Sequence, residues 1–540
     1  MKGGCNMKNL KKTSFFLVVL LLSALLFGLY GCQPKETKEK TNDQHMFVYE
    51  NQHESPKDGG RLRLAMTGAT TLNPILAENK NNLSVLKLIF DGLFTVAPDR
   101  SVEPVLCDHY SVSADGKTYT FYIKEGVSFH NGEPLTAQDV EASLSLLMNS
   151  SGVYSGRLAC ISAWSCDKMS LTVTLSHPVI NFTSLMDFPV MSKADINISG
   201  DFYVPNGTGR YKVQSNKQNR ELYLSVNENY HRPFAPHIPE VVIYRVKDAE
   251  TAISMLENLQ IDMLPSYVVN VYQYTPKRDL STASITSGRF TFLGINNQFT
   301  PLLSEKTRTA MTYAINRKAL ILDSTVAYVV PTDVPMPPNS AFNTAQEEGV
   351  GFDPEFSRRL LMQDGWRDID ADGILEKNIY GEEYKLSFNI LVNDDNAIRL
   401  KIARNLVDFF REIGIPAAVD AVSFAEYESR IANSAYEVFV GGTTIADNGD
   451  ISFLLQSDLN PCGIFNERID ELLYSLSIQS GETQKPVLFQ EIWDEFRTKT
   501  PFAGLYFEED LLIFDPIMKG EIMPSSSDIF YGVEKWFFDN

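Results

Sequence analysis

From Ser14 to Tyr30 the chain is almost uninterruptedly apolar, and no later stretch of its 540 residues comes near that length. A bilayer-spanning helix needs about 18 to 20 such residues. The membrane therefore has one point of purchase, at the N-terminus, and everything after it is expected to fold with a polar exterior. Lys2, Lys8, Lys11 and Lys12 precede the run. A positive flank followed by a short apolar core reads as an export signal, with an uncleaved anchor as the alternative. Met7 is an alternative start that keeps three of those lysines.

The run ends in Leu29-Tyr30-Gly31-Cys32, which resembles a bacterial lipobox, with the bulky Tyr30 as its one unusual residue. Residues 1–31 are thus expected to leave as a signal peptide, and Cys32 to carry the lipid. Their loss removes four lysines and no acid, taking the formal charge from -20 to -24. Residues 32–58 are polar and mixed in charge, and read as a flexible tether. As a coil such a segment spans roughly 25–30 Å, enough to hold a folded body beside the membrane without embedding it.

A chain this long exceeds one hydrophobic core and should divide into two or three domains. Its 44% hydrophobic and 11% aromatic content is ample for burial. The strongly negative charge suits phosphate backbones poorly, so no nucleic-acid partner is expected. Once Cys5 and Cys32 are set aside, Cys107, Cys160, Cys166 and Cys462 remain, too few for a disulfide scaffold. Cys160 and Cys166 read as free thiols, with a local bridge as the alternative, and Cys107 as a small buried residue.

Strand and helix signals alternate along the body. Thr118 to Ile123 reads as a strand opened by the turn Asp115-Gly116. Thr136 and Asp139 form a loose capping box ahead of a helix with Val140, Leu144, Leu147 and Met148 on one face. Asp353-Pro354 opens a second helix, carrying Phe356, Leu360 and Leu361, that Gly365 ends. Ile398, Ile402, Leu406, Phe409 and Ile413 make an amphipathic stripe stopped by Gly414 and Pro416. The class is α/β or α+β.

Several segments together resemble one family. They are Val102-Glu103-Pro104 through Ser111, Asp115 to Phe121, Lys124 to Gly132, and Thr136 to Val140. Leu72-Asn73-Pro74, Phe90 to Leu93, Asn206 to Val213, Asn227 to Tyr230, Gln260-Ile261-Asp262, Gly294 to Asn297, Arg308 to Arg317 and Asp364-Gly365-Trp366 continue the match in order. The pattern resembles family 5 extracellular solute-binding proteins, the peptide and nickel receptors of ABC importers. Cys107 and Tyr110 depart from it at packing positions.

The resemblance implies an α/β, two-lobed clamp of the periplasmic-binding-protein type II kind, with a small additional domain on lobe one. Lobe one would comprise 59–82, 170–288 and 510–540, the small domain 83–169, and lobe two 289–509. Chain crossings near 288 and 510 would form the hinge. It also implies a non-enzymatic, monomeric receptor on the outer face of the cell membrane, partnered by ABC permease subunits and anchored through the lipid on Cys32. The ligand would be a peptide or similar small solute, with a nickel complex or oligosaccharide as alternatives on the same fold. A secreted hydrolase or an adhesion or signalling lipoprotein are alternatives of other classes. No cofactor is expected.

The loop Gly441 to Asp450 resembles the peptide receptors' ammonium-binding loop, which makes Asp447 the expected ligand carboxylate; in an empty cleft it would stand unpaired. Thr444 stands near the place of the family's Trp, and Ile451 replaces a Pro. Tyr154 loosely resembles an aromatic lining position. Asp368-x-Asp370-x-Asp372-Gly373 begins like a calcium loop, but position twelve is Ile379 and no metal is expected. Gly207-Thr208-Gly209 reads as a turn. No His-Glu-x-x-His pair or Gly-x-Ser-x-Gly elbow appears.

Overall fold

Two strands, Ser281–Ile295 and Phe502–Phe514, are the longest elements of their kind in the computed structural model of the protein. The structure describes residues 55–539, apart from 70, 155, 199–202, 218–219, 270–273, 325–327, 344–350, 480 and 482. The expected signal peptide, Cys32 and most of the expected tether lie outside the described residues.

The two long strands pair antiparallel from Ser281 opposite Phe514 to Gly294 opposite Phe502. Their register breaks twice, between Thr286 and Phe290 and again between Thr291 and Phe292. Thr286 faces Glu509 and Phe290 faces Phe507, so Ser287, Gly288 and Arg289 share the single opposite residue Glu508. A bulge of this kind bends and twists a ribbon where it occurs. Around the ribbon lies a seven-stranded sheet, with Val438–Thr444, Phe388–Asn393 and Ala417–Val422 added in that order beside Ser281–Ile295. A separate four-stranded sheet runs Arg61–Thr67, Glu240–Val246, Glu221–Val226, Tyr211–Lys217, with its first pair parallel. The largest apolar cluster gathers residues from Leu62 to Ile243 with the C-terminal Leu512 to Phe538, and another gathers Leu293 to Tyr506.

The strand expected at Thr118–Ile123 forms with those bounds, in a four-stranded antiparallel sheet with Cys107–Val112, Ser170–Leu175 and Ile161–Cys166. On it packs the helix Ala137–Met148, whose Val140, Leu144 and Leu147 are buried. At its start the Thr136 backbone N–H and hydroxyl both donate to Asp139 Oδ2, at 2.9 and 2.7 Å. The helix Pro354–Gln363 is capped by Asp353, whose Oδ1 accepts from the Phe356 N–H at 2.7 Å. In Ala397–Glu412 the stripe differs by a small rotation. Ile402, Leu406 and Phe410 are buried, Phe409 is half-buried and Ile398 is 36% exposed. Ile413 is buried as expected, and the exposed Ile398 lies in the first turn, ahead of the part of the helix that packs.

Gly207 and Gly209 are required by a close approach. A Cβ on Gly207 would lie 2.0 Å from the Ile89 carbonyl oxygen, and the Gly209 N–H donates to that oxygen at 2.9 Å. Between them Thr208 donates to Asp91 Oδ2 at 3.1 Å, so this motif is a packing turn. Cys107 and Cys462 are buried free thiols, and burial pushes each up to about 12. Cys160 and Cys166 are also free, Cys166 donating to a Glu141 oxygen at 3.0 Å.

Candidate functional site

The bulge Ser287–Arg289 forms part of the wall of a cavity of about 720 Å³. The Gly288 carbonyl accepts from the Ile445 N–H at 2.8 Å, which brings the loop after Val438–Thr444 onto the same wall. That loop turns at Ala446, whose carbonyl accepts from Gly449 N–H at 2.9 Å, and presents Asp447 to the cavity. From the other sheet system come the helix Lys80–Leu86, the segment around Tyr154 and Arg157, and Asp187. Asp447 and Tyr154, 293 positions apart by their numbers, therefore line one space.

Asp447 is engaged through one oxygen. Ser526 Oγ donates to its Oδ1 at 2.7 Å, and Arg100 Nη2 lies 3.9 Å from the same atom. Burial works to raise its carboxyl, but Arg100 and Ser526 outweigh it and hold the group below the usual carboxylate range. The expectation of an unpaired carboxylate is thus corrected: Arg100, 1% exposed, already supplies a cation. Arg100 sits at φ +64°, in the turn joining the strands Phe94–Val96 and Val102–Pro104, and Nη1 also donates to the Ala446 carbonyl at 3.1 Å. Burial pulls its guanidinium below the ordinary arginine value, with Asp447 working against the drop. Asp450 plays a local part, its Oδ1 accepting from the Ser452 N–H at 2.9 Å.

Tyr154 is 2% exposed, its ring under the Arg157 guanidinium at 4.9 Å. Burial and the Asp187 charge push its phenol up to about 12. Asp187 pairs with two cations, Lys87 Nζ donating to Oδ2 at 3.1 Å and Arg157 Nη2 standing 3.0 Å from Oδ1 as an ion pair. On the bulge, Arg289 binds Glu508 at 2.6 Å and Asp510 at 2.9 Å, and Lys80 lies 3.8 Å from Asp510. Sequence reasoning missed Arg100, Lys87, Arg157 and Asp187. Lys87 and Asp187 did carry a signal: each is a lone charge in an apolar run, Leu86-Lys87-Leu88 and Met186-Asp187-Phe188.

The aspartate-rich turn holds its own cation. Asp368, Asp370 and Glu376 bring one oxygen each within 4.8 Å of one another. Lys385 Nζ approaches Asp370 at 3.7 Å, Glu376 at 3.3 Å and Asp372 at 2.6 Å, and supplies countercharge there.

Residues 101–463 match the model of the bacterial extracellular solute-binding proteins, family 5. The chain belongs to that family. Such proteins are extracytoplasmic receptors of ABC importers, and the relatives found are substrate-binding proteins rather than enzymes. This family 5 receptor is 24% identical over 503 residues to the oligopeptide-binding protein OppA of Bacillus subtilis, covering 85% of this chain and 90% of OppA. It is 23% identical over 467 residues to the glutathione-binding protein GsiB of Escherichia coli, covering 82% and 87%. Its fold is similar to the unliganded open form of MppA, a periplasmic murein tripeptide binding protein. The TM-score is 0.72 at 16% identity, over 90% of this chain and 98% of that one. The receptor is accordingly an α/β, two-lobed clamp.

Proposed function

We propose that this protein captures peptides between its lobes and delivers them to an ABC permease, tethered to the membrane through a lipid on Cys32. The observation that carries the peptide reading is the carboxylate of Asp447. Its Oδ1 is committed to Ser526 and Arg100, and among the described residues no hydrogen bond engages its Oδ2. An ionised, oriented carboxylate with one oxygen left over, in a cavity of about 720 Å³, suits an α-ammonium group. Tyr154 backs the cavity wall beneath Arg157, its hydroxyl donating to the Asp187 carbonyl at 3.5 Å. The names of the oligopeptide and glutathione receptors and of the murein tripeptide receptor point the same way. Among the described residues no histidine or cysteine lines the cavity, which disfavours a directly ligated nickel complex.

In this reading the lobes follow the boundaries expected from sequence, and the register break at Ser287–Arg289 opposite Glu508 is the hinge. Ligand energy favours closure only if contacts come from both lobes. Native mass spectrometry of freshly purified protein tests the proposal. A copurifying peptide is the expected result, and calorimetry should then show weak binding of its N-acetylated form. A non-peptide adduct, or equal affinity for free and acetylated peptide, would remove it.

A further inference from the structure

Asp187 is 2% exposed and needs one countercharge, which Lys87 supplies from 3.1 Å. Burial opposes the charge on Lys87, and Asp187 more than restores it, so the buried pair is complete by itself. Arg157 is a second cation on the same carboxylate, and the three groups together carry one surplus positive charge. Its side chain is 29% exposed and lines the cavity. Its Nη2 lies 3.0 Å from Asp187 Oδ1 as an ion pair, and its central carbon lies 4.9 Å from the Tyr154 ring centroid. Among the described residues no hydrogen bond engages its Nε or Nη1. A guanidinium packed against an aromatic ring, ion-paired through one nitrogen and open at the others, is placed to receive a carboxylate. Arg157 and Asp447 are also close enough that each shifts the other's ionisation. The cavity thus has a cationic pole beside its anionic one.

We infer that Arg157 is the anion-binding residue of the cleft and takes a ligand carboxylate, so that the ligand is a short peptide held by charges of both signs. This rests on the peptide reading above. The carboxylate is either the C-terminus or an acidic side chain, and both present the same chemistry to the guanidinium.

The test uses calorimetry on the whole protein with three probes: trialanine, trialanine amide and Ala-Glu-Ala amide. Trialanine should bind about ten- to a hundredfold more tightly than its amide if the C-terminus is read; if a side chain is read, Ala-Glu-Ala amide should show that advantage instead. Arg157→Gln should abolish the advantage while leaving trialanine amide nearly unaffected, and Arg157→Lys should restore part of it. Lys87 still neutralises Asp187 in both variants, so folding is preserved. An equal loss for all three probes would make Arg157 merely structural and overturn the inference, as would a wild type that does not discriminate among them. If none of the three binds, the peptide reading is decided separately by the copurifying ligand, and succinate becomes the probe of the anion subsite. Thermal stabilisation of wild type but not of Arg157→Gln supports the anion subsite, and no shift in either overturns it.

Discussion

Because Ser526 and Arg100 both engage Oδ1 of Asp447, the carboxylate belongs to the fold before any ligand arrives. Asp447→Asn removes the countercharge of a ligand ammonium. Breaking a desolvated ion pair costs about 3–5 kcal/mol, or roughly two to three and a half decades in affinity, as calorimetry would read it. The same change leaves Arg100 buried without its anion, so the empty protein should also lose stability. Removing one partner of a fully buried ion pair costs about 3–5 kcal/mol, and at the 3.9 Å separation here the loss should be smaller but resolvable in a thermal melt at neutral pH. The folded carboxyl lies below its usual range, so this stability is present above about pH 4 and disappears as the pH falls through the lower folded value. The gap between wild type and Asp447→Asn should therefore close on acidification. Asp450→Asn is the contrast: an asparagine oxygen can still accept from the Ser452 N–H, so affinity should stay within a few-fold.

At the scale of elements, the cavity depends on how closely two pieces of backbone approach. Gly288, in the bulge of Ser281–Ile295, lies against the loop that presents Asp447, and a Cβ there would sit 2.0 Å from the Ile445 carbonyl oxygen. Backbone cannot yield as a flexible side chain does. Gly288→Ala should cost about 1–3 kcal/mol of stability by overpacking. It should also weaken ligand binding, because the loop moves with its carboxylate. Denaturant unfolding and calorimetry on the same sample separate the two effects, and unchanged values in both would show that the bulge does not position the loop. The turn bearing Arg100 shows the complementary device. A left-handed backbone is costly for a non-glycine residue, yet here it carries a guanidinium onto the Ala446 carbonyl and Asp447.

At the scale of the molecule, the paired ribbon, with its register breaks, runs from the apolar cluster of Leu62 to Phe538 to that of Leu293 to Tyr506, and on the proposed reading the body bends along it. Small-angle scattering should give a smaller radius of gyration with saturating peptide than without. An identical radius in both states would make the hinge reading untenable. The proposed membrane attachment is tested separately from the fold. Cys32→Ser should release the protein into the medium or leave it as unprocessed precursor, and detergent phase partition unchanged from wild type would favour an uncleaved anchor.

Much of this was legible in the chain itself wherever the information is local. The capping pairs at Thr136 and Asp353 and the strand Thr118–Ile123 depend on residues a few positions apart, and each forms where periodicity and turn chemistry put it, whereas the loop around Asp447 was legible only through the family resemblance. The family was readable for the same reason, its motifs being short and in order. The helix Ala397–Glu412 marks the limit: its apolar side was evident, but whether Ile398 or Phe410 met the sheet depended on where the helix docks. The charges of the cavity lay further out of reach. Lys87 and Asp187 are 100 residues apart, and Arg100 and Ala446 are 346 apart. A lone charge in an apolar run signals that some partner exists, because a buried ion without one is prohibitively costly. Which partner it meets is decided only when the sheets and loops pack, because Coulomb attraction acts through space and the chain's topology sets which charges share it.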